Sequence, residues 1–203
     1  AIPAVRTITR MHDDSLAIVM SYIPGPTLTQ IIQKTGPLDP EHVGWITERL
    51  LNALMYMHYN NVVHGDVKPD NIIIQPKSHT VVLVDFGLAT IKPRKESKSR
   101  GWNDYFSPPE LIGQLTPLPE SDFYSLGMTM IFALGGNFKN VERKEVPENT
   151  PDPLCRFIKH LIVRDVLARP RWEKENLCET IQQVRMQSFG RTRSEMKPIP
   201  GID

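Results

Sequence analysis

The sequence predicts a mainly α-helical domain of the α+β kind, on three observations. Residues 121–136, SDFYSLGMTMIFALGG, are apolar nearly all round, which marks a helix enclosed by others. Amphipathic stretches with helical period stand before and after it and supply the enclosing partners. Strand-like runs are few and short: NIIIQ at 71–75 and TVVLVDF at 80–86 are separated by turn residues, as in a hairpin over 71–75 and 80–85.

In chain order, LAIVMSY at 16–22 is an apolar run without helical period, closed by the breaker PGP at 24–26, and reads as a buried strand. A short helix capped by Thr27 follows. Asp39 as N-cap, Pro40 at the first helical position and Glu41 in the first turn start a long helix. Val43, Ile46, Leu50, Leu54 and Met57 form its apolar face. The hairpin comes next, with its turn over residues 76–79. Residues 88–109 are irregular and polar, and within them 92–100 carry Lys92, Arg94, Lys95, Lys98 and Arg100 against Glu96. Such a run reads as a solvated, mobile loop. After the central helix, PDPLCRFIKHLIVRD places Leu154, Phe157, Ile158 and Leu161 on one side of another helix. A last helix near 172–186 precedes the weakly hydrophobic residues 187–203, expected to be a linker or frayed terminus.

A chain of 203 residues can bury one sizeable core or two small lobes. Its 24 basic and 23 acidic residues leave a net charge of +1, so no global field draws it to nucleic acid or an anionic membrane. There is no apolar run of the ~18 residues that a membrane span needs, nor a charged-then-apolar leader. A soluble, cytoplasmic protein is expected. Cys155 and Cys178 stand alone, which suggests reduced structural thiols rather than a zinc cluster or disulfide framework.

The chemistry is concentrated in VVHGDVKPDNIII, residues 62–74. A surface turn needs only Gly65 and Pro69 with one Asp or Asn, and a core does not tolerate unpaired Asp and Lys. Singly, each polar residue has an ordinary reading: Asp66 a turn carboxylate, Lys68 a surface charge, Asn71 an Asx-turn, His64 a satisfied core histidine. Together they need another explanation.

HGDVKPDN resembles the catalytic loop H-R-D-x-K-x-x-N of the eukaryotic-type protein kinases, and DFG at 85–87, 19 residues beyond Asp66, resembles their metal-binding triplet. SPPE at 107–110, SDFYSLG at 121–127 and LARPR at 167–171 follow in the family's order. The likeness covers about residues 16–186, and its wording is closest to bacterial Ser/Thr kinases. It implies a kinase large-lobe helical bundle over 21–186, with residues 1–20 as the last strands of the small lobe. It further implies that Asp66 accepts the proton of a substrate hydroxyl, Lys68 neutralises the transferring phosphoryl group, and Asn71 and Asp85 hold Mg²⁺. Met20 would be the gatekeeper, Ser21 and Ile23 would offer backbone hydrogen bonds to the adenine of ATP, and Ile73 would support the ring. His64 and Phe86 would stack beneath the site, Asp122 would anchor that stack and the catalytic-loop backbone, and Glu110 would pair with Arg169.

The sequence also departs from the family pattern. No G-x-G-x-x-G and no V-A-I-K precede residue 20, so the chain is expected to be a fragment of a larger kinase, with low activity on its own. Gly65 stands where the family has the arginine that clamps an activation-loop phosphate. The basic run at 92–100 is accordingly expected to recruit an acidic substrate or partner. GWNDYFSPPE lacks the family's threonine after the glycine. Two rival functions remain open at this point: a pseudokinase that docks partners without transfer, and a small-molecule phosphotransferase, whose loops also read H-G-D.

Overall fold

The computed structural model describes residues 2–75, 78, 80–192 and 199. Strand β1 (Val5–Arg10) pairs antiparallel with β2 (Leu16–Met20), and α1 (Leu28–Thr35) and α2 (Pro40–Tyr59) follow. Thr27 caps α1 with a full capping box through Gln30. Asp39 caps α2 by accepting from the Glu41 N–H at 2.8 Å. Both helix starts sit where the sequence places them.

Strand β3 (Val62–Val63) leads into the polar loop, and β4 (Ile72–Gln75) and β5 (Thr80–Leu83) form the expected hairpin, with Ile72 opposite Leu83 and Gln75 opposite Thr80. Its expected turn lies mostly outside the described residues. Strand β6 (Thr90–Ile91) pairs back onto β3. The helices α3 (Pro109–Ile112), α4 (Pro119–Gly135), α5 (Phe138–Arg143), α6 (Asp152–Leu161) and α7 (Leu177–Phe189) complete the order. The fold is thus mainly helical with small antiparallel pairs.

Helix α4 is the axis: every residue from 121 to 134 is buried. It packs on α2, α5 and α6, while α7 closes over α2 and α6. Gly127 makes the α4–α6 approach possible, since a Cβ there would stand 2.5 Å from Ile162 Cγ2. Arg185 on α7 is buried and reaches Glu48 on α2.

The strand at 16–20 forms as expected but is not buried. Leu16 is 67% exposed and Met20 49%, and every residue of β1 is exposed as well. An apolar run is sealed only when a second layer covers it, and a two-stranded ribbon cannot cover itself. The last helix begins at Leu177 rather than near 172, because Asn176 caps it through the Glu179 N–H, and residues 172–174 form a turn. It ends at Phe189, so the expected boundary at 186 falls inside a helix. Of the tail, Ile199 is buried in the core, and residues 193–198 and 200–203 lie outside the description. Both cysteines are free and half-buried, and burial pushes the Cys178 thiol up to about 11, which leaves it unreactive at neutral pH.

Candidate active site

The polar loop runs from His64 to Asn71 between β3 and β4, and its shape is fixed from below by α4. The fully buried Asp122 accepts three hydrogen bonds at 2.8 Å each. The His64 N–H and His58 Nε2 share its Oδ2, and the Gly65 N–H donates to Oδ1. Asp122 thereby holds the loop backbone on the central helix.

Gly65 has φ +76, in the left-handed region, and a Cβ there would meet the Leu88 carbonyl oxygen at 3.0 Å. Glycine adopts this conformation without steric cost. The next residue N–H, that of Asp66, donates to His64 Nδ1 at 3.2 Å, which leaves the proton on Nε2 to donate to the Val84 carbonyl at 3.1 Å. His64 is therefore a neutral Nε2–H tautomer, and burial lowers its pKa below the ordinary value against the pull of Asp122, Asp66 and Asp85. Its ring lies 5.1 Å from that of Phe86, the contact expected from the sequence.

Three of the residues singled out in the sequence lock together. Asp66 is 7% exposed, and its Oδ2 accepts from Lys68 Nζ at 2.6 Å and from Asn71 Nδ2 at 2.9 Å. Asn71 Nδ2 also reaches the Asp66 carbonyl at 2.9 Å. With the amide nitrogen committed twice, Asn71 Oδ1 is turned away from Asp66 and, like Asp66 Oδ1, has no partner among the described residues. Two oxygens are left free to receive a ligand or a proton.

The fourth residue arrives through the backbone. The Val84 N–H donates to the Asn71 carbonyl at 2.9 Å, which brings Asp85 beside the loop. Asp85 has φ +63, unusual for a residue with a side chain, and its Oδ1 accepts from the Gly87 N–H at 3.1 Å. The carboxylate is exposed, and Oδ2 has no protein partner among the described residues. Asn71 Oδ1 and Asp85 Oδ2 are hard oxygen donors of the kind that suit Mg²⁺, which takes one or two protein ligands and completes its shell with water and phosphate.

The residues expected to meet adenine lie on the chain that crosses from the ribbon to α1. Met20 ends β2, and the Ser21 N–H is spent on the Ala4 carbonyl at 2.9 Å, leaving its own carbonyl for a ligand. The Ile23 N–H has no partner among the described residues. Residues 24–27 then run along β4: Gln75 Nε2 donates to the Pro24 carbonyl, the Ile74 N–H to the Pro26 carbonyl, and Thr27 bridges Ile73. This brings half-buried Ile73 alongside the segment that holds Ser21 and Ile23.

Glu110 and Arg169 meet as expected, at 2.5 and 3.0 Å through both guanidinium ends. Helix α3, and with it the irregular segment before it, is tied to the lobe by this pair. Sequence reasoning missed His58 and Trp172. Trp172 Nε1 donates to His58 Nδ1 at 2.9 Å, so His58 presents Nε2–H to Asp122. A histidine and a tryptophan 114 residues apart in sequence carry no local signal of this contact.

A family model described as Protein kinase domain matches residues 4–182. The chain belongs to the protein kinase family. Among similar proteins, the Serine/threonine-protein kinase PrkC of Bacillus subtilis is 32% identical over 165 residues, 79% of this chain and 24% of that protein. Cell division control protein 7 of Schizosaccharomyces pombe is 34% identical over 125 residues, 62% of this chain and 12% of that protein. The Serine/threonine-protein kinase PAK mbt of Drosophila melanogaster is 33% identical over 126 residues, 61% of this chain and 19% of that protein. This kinase chain therefore spans less than a third of the length of the curated relatives it matches. Among its described residues no helix is long and apolar enough to cross a membrane.

Proposed function

We propose that this chain carries the catalytic lobe of a serine/threonine protein kinase, which transfers the γ-phosphate of ATP to a Ser or Thr hydroxyl of a protein. The observation that supports it most is the interlocked set Asp66–Lys68–Asn71, with Asp85 delivered beside it and free oxygens on Asp66, Asn71 and Asp85. A docking module has no need of all four groups. In this reading Asp66 Oδ1 orients the acceptor hydroxyl and takes its proton, while Asn71 holds Asp66 in place through Oδ2. Lys68 neutralises Asp66 before substrate arrives and turns to the transferring phosphoryl group afterwards. Asn71 Oδ1 and Asp85 Oδ2 are the groups that would hold Mg²⁺, which when bound offsets negative charge on the phosphates. Ser21 C=O and Ile23 N–H are the backbone groups for adenine, between Met20 and Ile73.

The test is single-turnover phosphoryl transfer from radiolabelled ATP to a generic acidic and a generic basic protein, by the chain and its Asp66→Asn variant. Slow transfer by the first, at least ~100-fold reduced in the second with ATP binding kept, is expected for loss of a general base. Equal transfer by both, or transfer to aminoglycosides or choline instead of protein, refutes the reading.

A further inference from the structure

The basic run at 92–100, which its composition marks as a solvated loop, is hydrogen-bonded within itself and to a neighbouring segment. The Arg94 N–H donates to Ser97 Oγ at 2.9 Å and the Ser97 N–H returns to the Arg94 carbonyl at 2.8 Å, which closes a turn. The Ser99 N–H donates to the Leu115 carbonyl at 3.1 Å, and Thr116 Oγ1 lies 2.9 Å from the Lys95 carbonyl and 3.1 Å from that of Ser97. The turn is thus fastened to the segment between α3 and α4. Its side chains tell the opposite story. Lys92, Arg94, Lys95, Lys98 and Arg100 are all exposed, and none belongs to an ion pair among the described residues.

Between this turn and residues 114–118 lies a groove of about 490 Å³. Leu115, Leu118 and Val166 give it an aliphatic floor, and Lys95 and Lys98 line its edge. Leu115 is 61% exposed, and Leu167, next to Val166, is 68% exposed. Two acids line the groove as well: Glu96, one against Lys95 and Lys98, and Glu110, which is paired with Arg169. A hydrogen-bonded turn that displays cations over an apolar floor is complementary to a chain of the reverse make-up. The volume lies within the ~300–1,000 Å³ of pockets that enclose a small ligand or a few side chains.

We propose that this groove docks an acidic segment of the kinase's protein substrate, one that seats an apolar side chain on Leu115, Leu118 and Val166 and runs its carboxylates along Lys95 and Lys98. The proposal rests on the kinase reading for the word substrate alone; the binding itself does not need transfer. A nucleic acid fits the groove less well, because the floor has no aromatic face on which bases stack.

The probe is a fluorescein-labelled twelve-residue peptide of Asp and Glu around a central Leu-Phe pair, followed by anisotropy at low and at near-physiological salt. The expected result is binding at least ten-fold tighter than that of the same peptide with Lys and Arg, weakening with salt. Lys95→Glu with Lys98→Glu should cost a further ten-fold or more, Leu115→Ser should also weaken binding, and Lys34→Glu with Lys159→Glu, of equal net charge, should not. Equal losses in the two double variants, equal binding of the basic peptide, or oligothymidylate bound as tightly through the same lysines would each overturn the site. A second arm appends the acidic segment to a neutral Ser peptide: it should lower KM with kcat unchanged in the wild type and do nothing in the Lys95→Glu, Lys98→Glu variant. No transfer with binding intact sinks the kinase reading alone. Transfer intact with binding indifferent to Lys95 and Lys98 sinks the docking site alone.

Discussion

Replacing Arg169 by Met should cost this kinase more stability than any single surface change. The guanidinium is almost fully buried and makes five hydrogen bonds: two to Glu110, and one each to the carbonyls of Val163, Arg164 and Glu120. It also lies 4.8 Å over the Tyr124 ring. Without it, the buried Glu110 carboxylate keeps, among the described residues, the Ser121 hydroxyl at 2.9 Å. Stranding one partner of a buried pair costs about 3–5 kcal/mol. Carbonyls that lose a donor and are not reached by water add about 0.5–1.5 kcal/mol each. The loss should therefore be at least about 3 kcal/mol, or a fall in Tm of roughly 6–12 °C for a chain of this size. Removing the charge with its partner, in Arg169→Met with Glu110→Leu, should recover much of it, because a buried pair replaced whole by apolar groups is often near neutral. Urea unfolding of the wild type, both single variants and the double variant measures this, with the midpoint moving and m unchanged. A loss under about 1 kcal/mol in Arg169→Met, or additive single losses, would refute the reasoning, since an exposed pair is worth no more than that.

Four further outcomes are expected. Asp85→Asn should weaken Mg²⁺-dependent ATP binding by titration calorimetry, whereas Asp66→Asn should not, because a neutral amide is the poorer ligand for a hard dication; equal effects would sink the division of roles. Gly65→Arg, which restores the family's wording, should lower stability by about 1 kcal/mol in the same urea assay, since the residue needs φ +76 and meets the Leu88 carbonyl. Trp172→Phe keeps the ring but not the donor, so His58 loses its fixed tautomer; kcat should fall several-fold with KM for ATP unchanged, and an unaltered kcat would show that the contact is only structural. For His64 the folded pKa is lowered, so the unfolded chain binds the extra proton first and stability falls as pH drops below about 6.5 towards the folded value. His64→Phe should flatten that slope in urea unfolding between pH 7 and 5, and an unchanged slope would remove His64 as its source.

The elements legible in the sequence are those whose signal is local. The Asp39-Pro40-Glu41 start of α2, the Thr27 cap of α1, the all-apolar α4 and the 72–75 and 80–83 hairpin are each written in a few neighbouring residues, by capping chemistry and periodicity. The grouping of Asp66, Lys68, Asn71 and Asp85 was legible through the family resemblance, whose motifs carry these residue types in this order. The four-residue α3, the six-residue α5 and the two-residue strand β6 were missed, being too brief to show a period.

What the sequence determined by itself was which residues form helices and which polar groups gather in one loop. The family resemblance already implied Asp122 as the anchor of that loop; tertiary structure alone decided what stands behind it, His58 and Trp172, and the left-handed turns at Gly65 and Asp85. It also decided that the 16–20 strand is exposed and that the basic 92–100 run is a fastened turn beside a groove. Burial and hydrogen bonding between distant segments depend on which surfaces the folded chain brings face to face, and no local pattern encodes that.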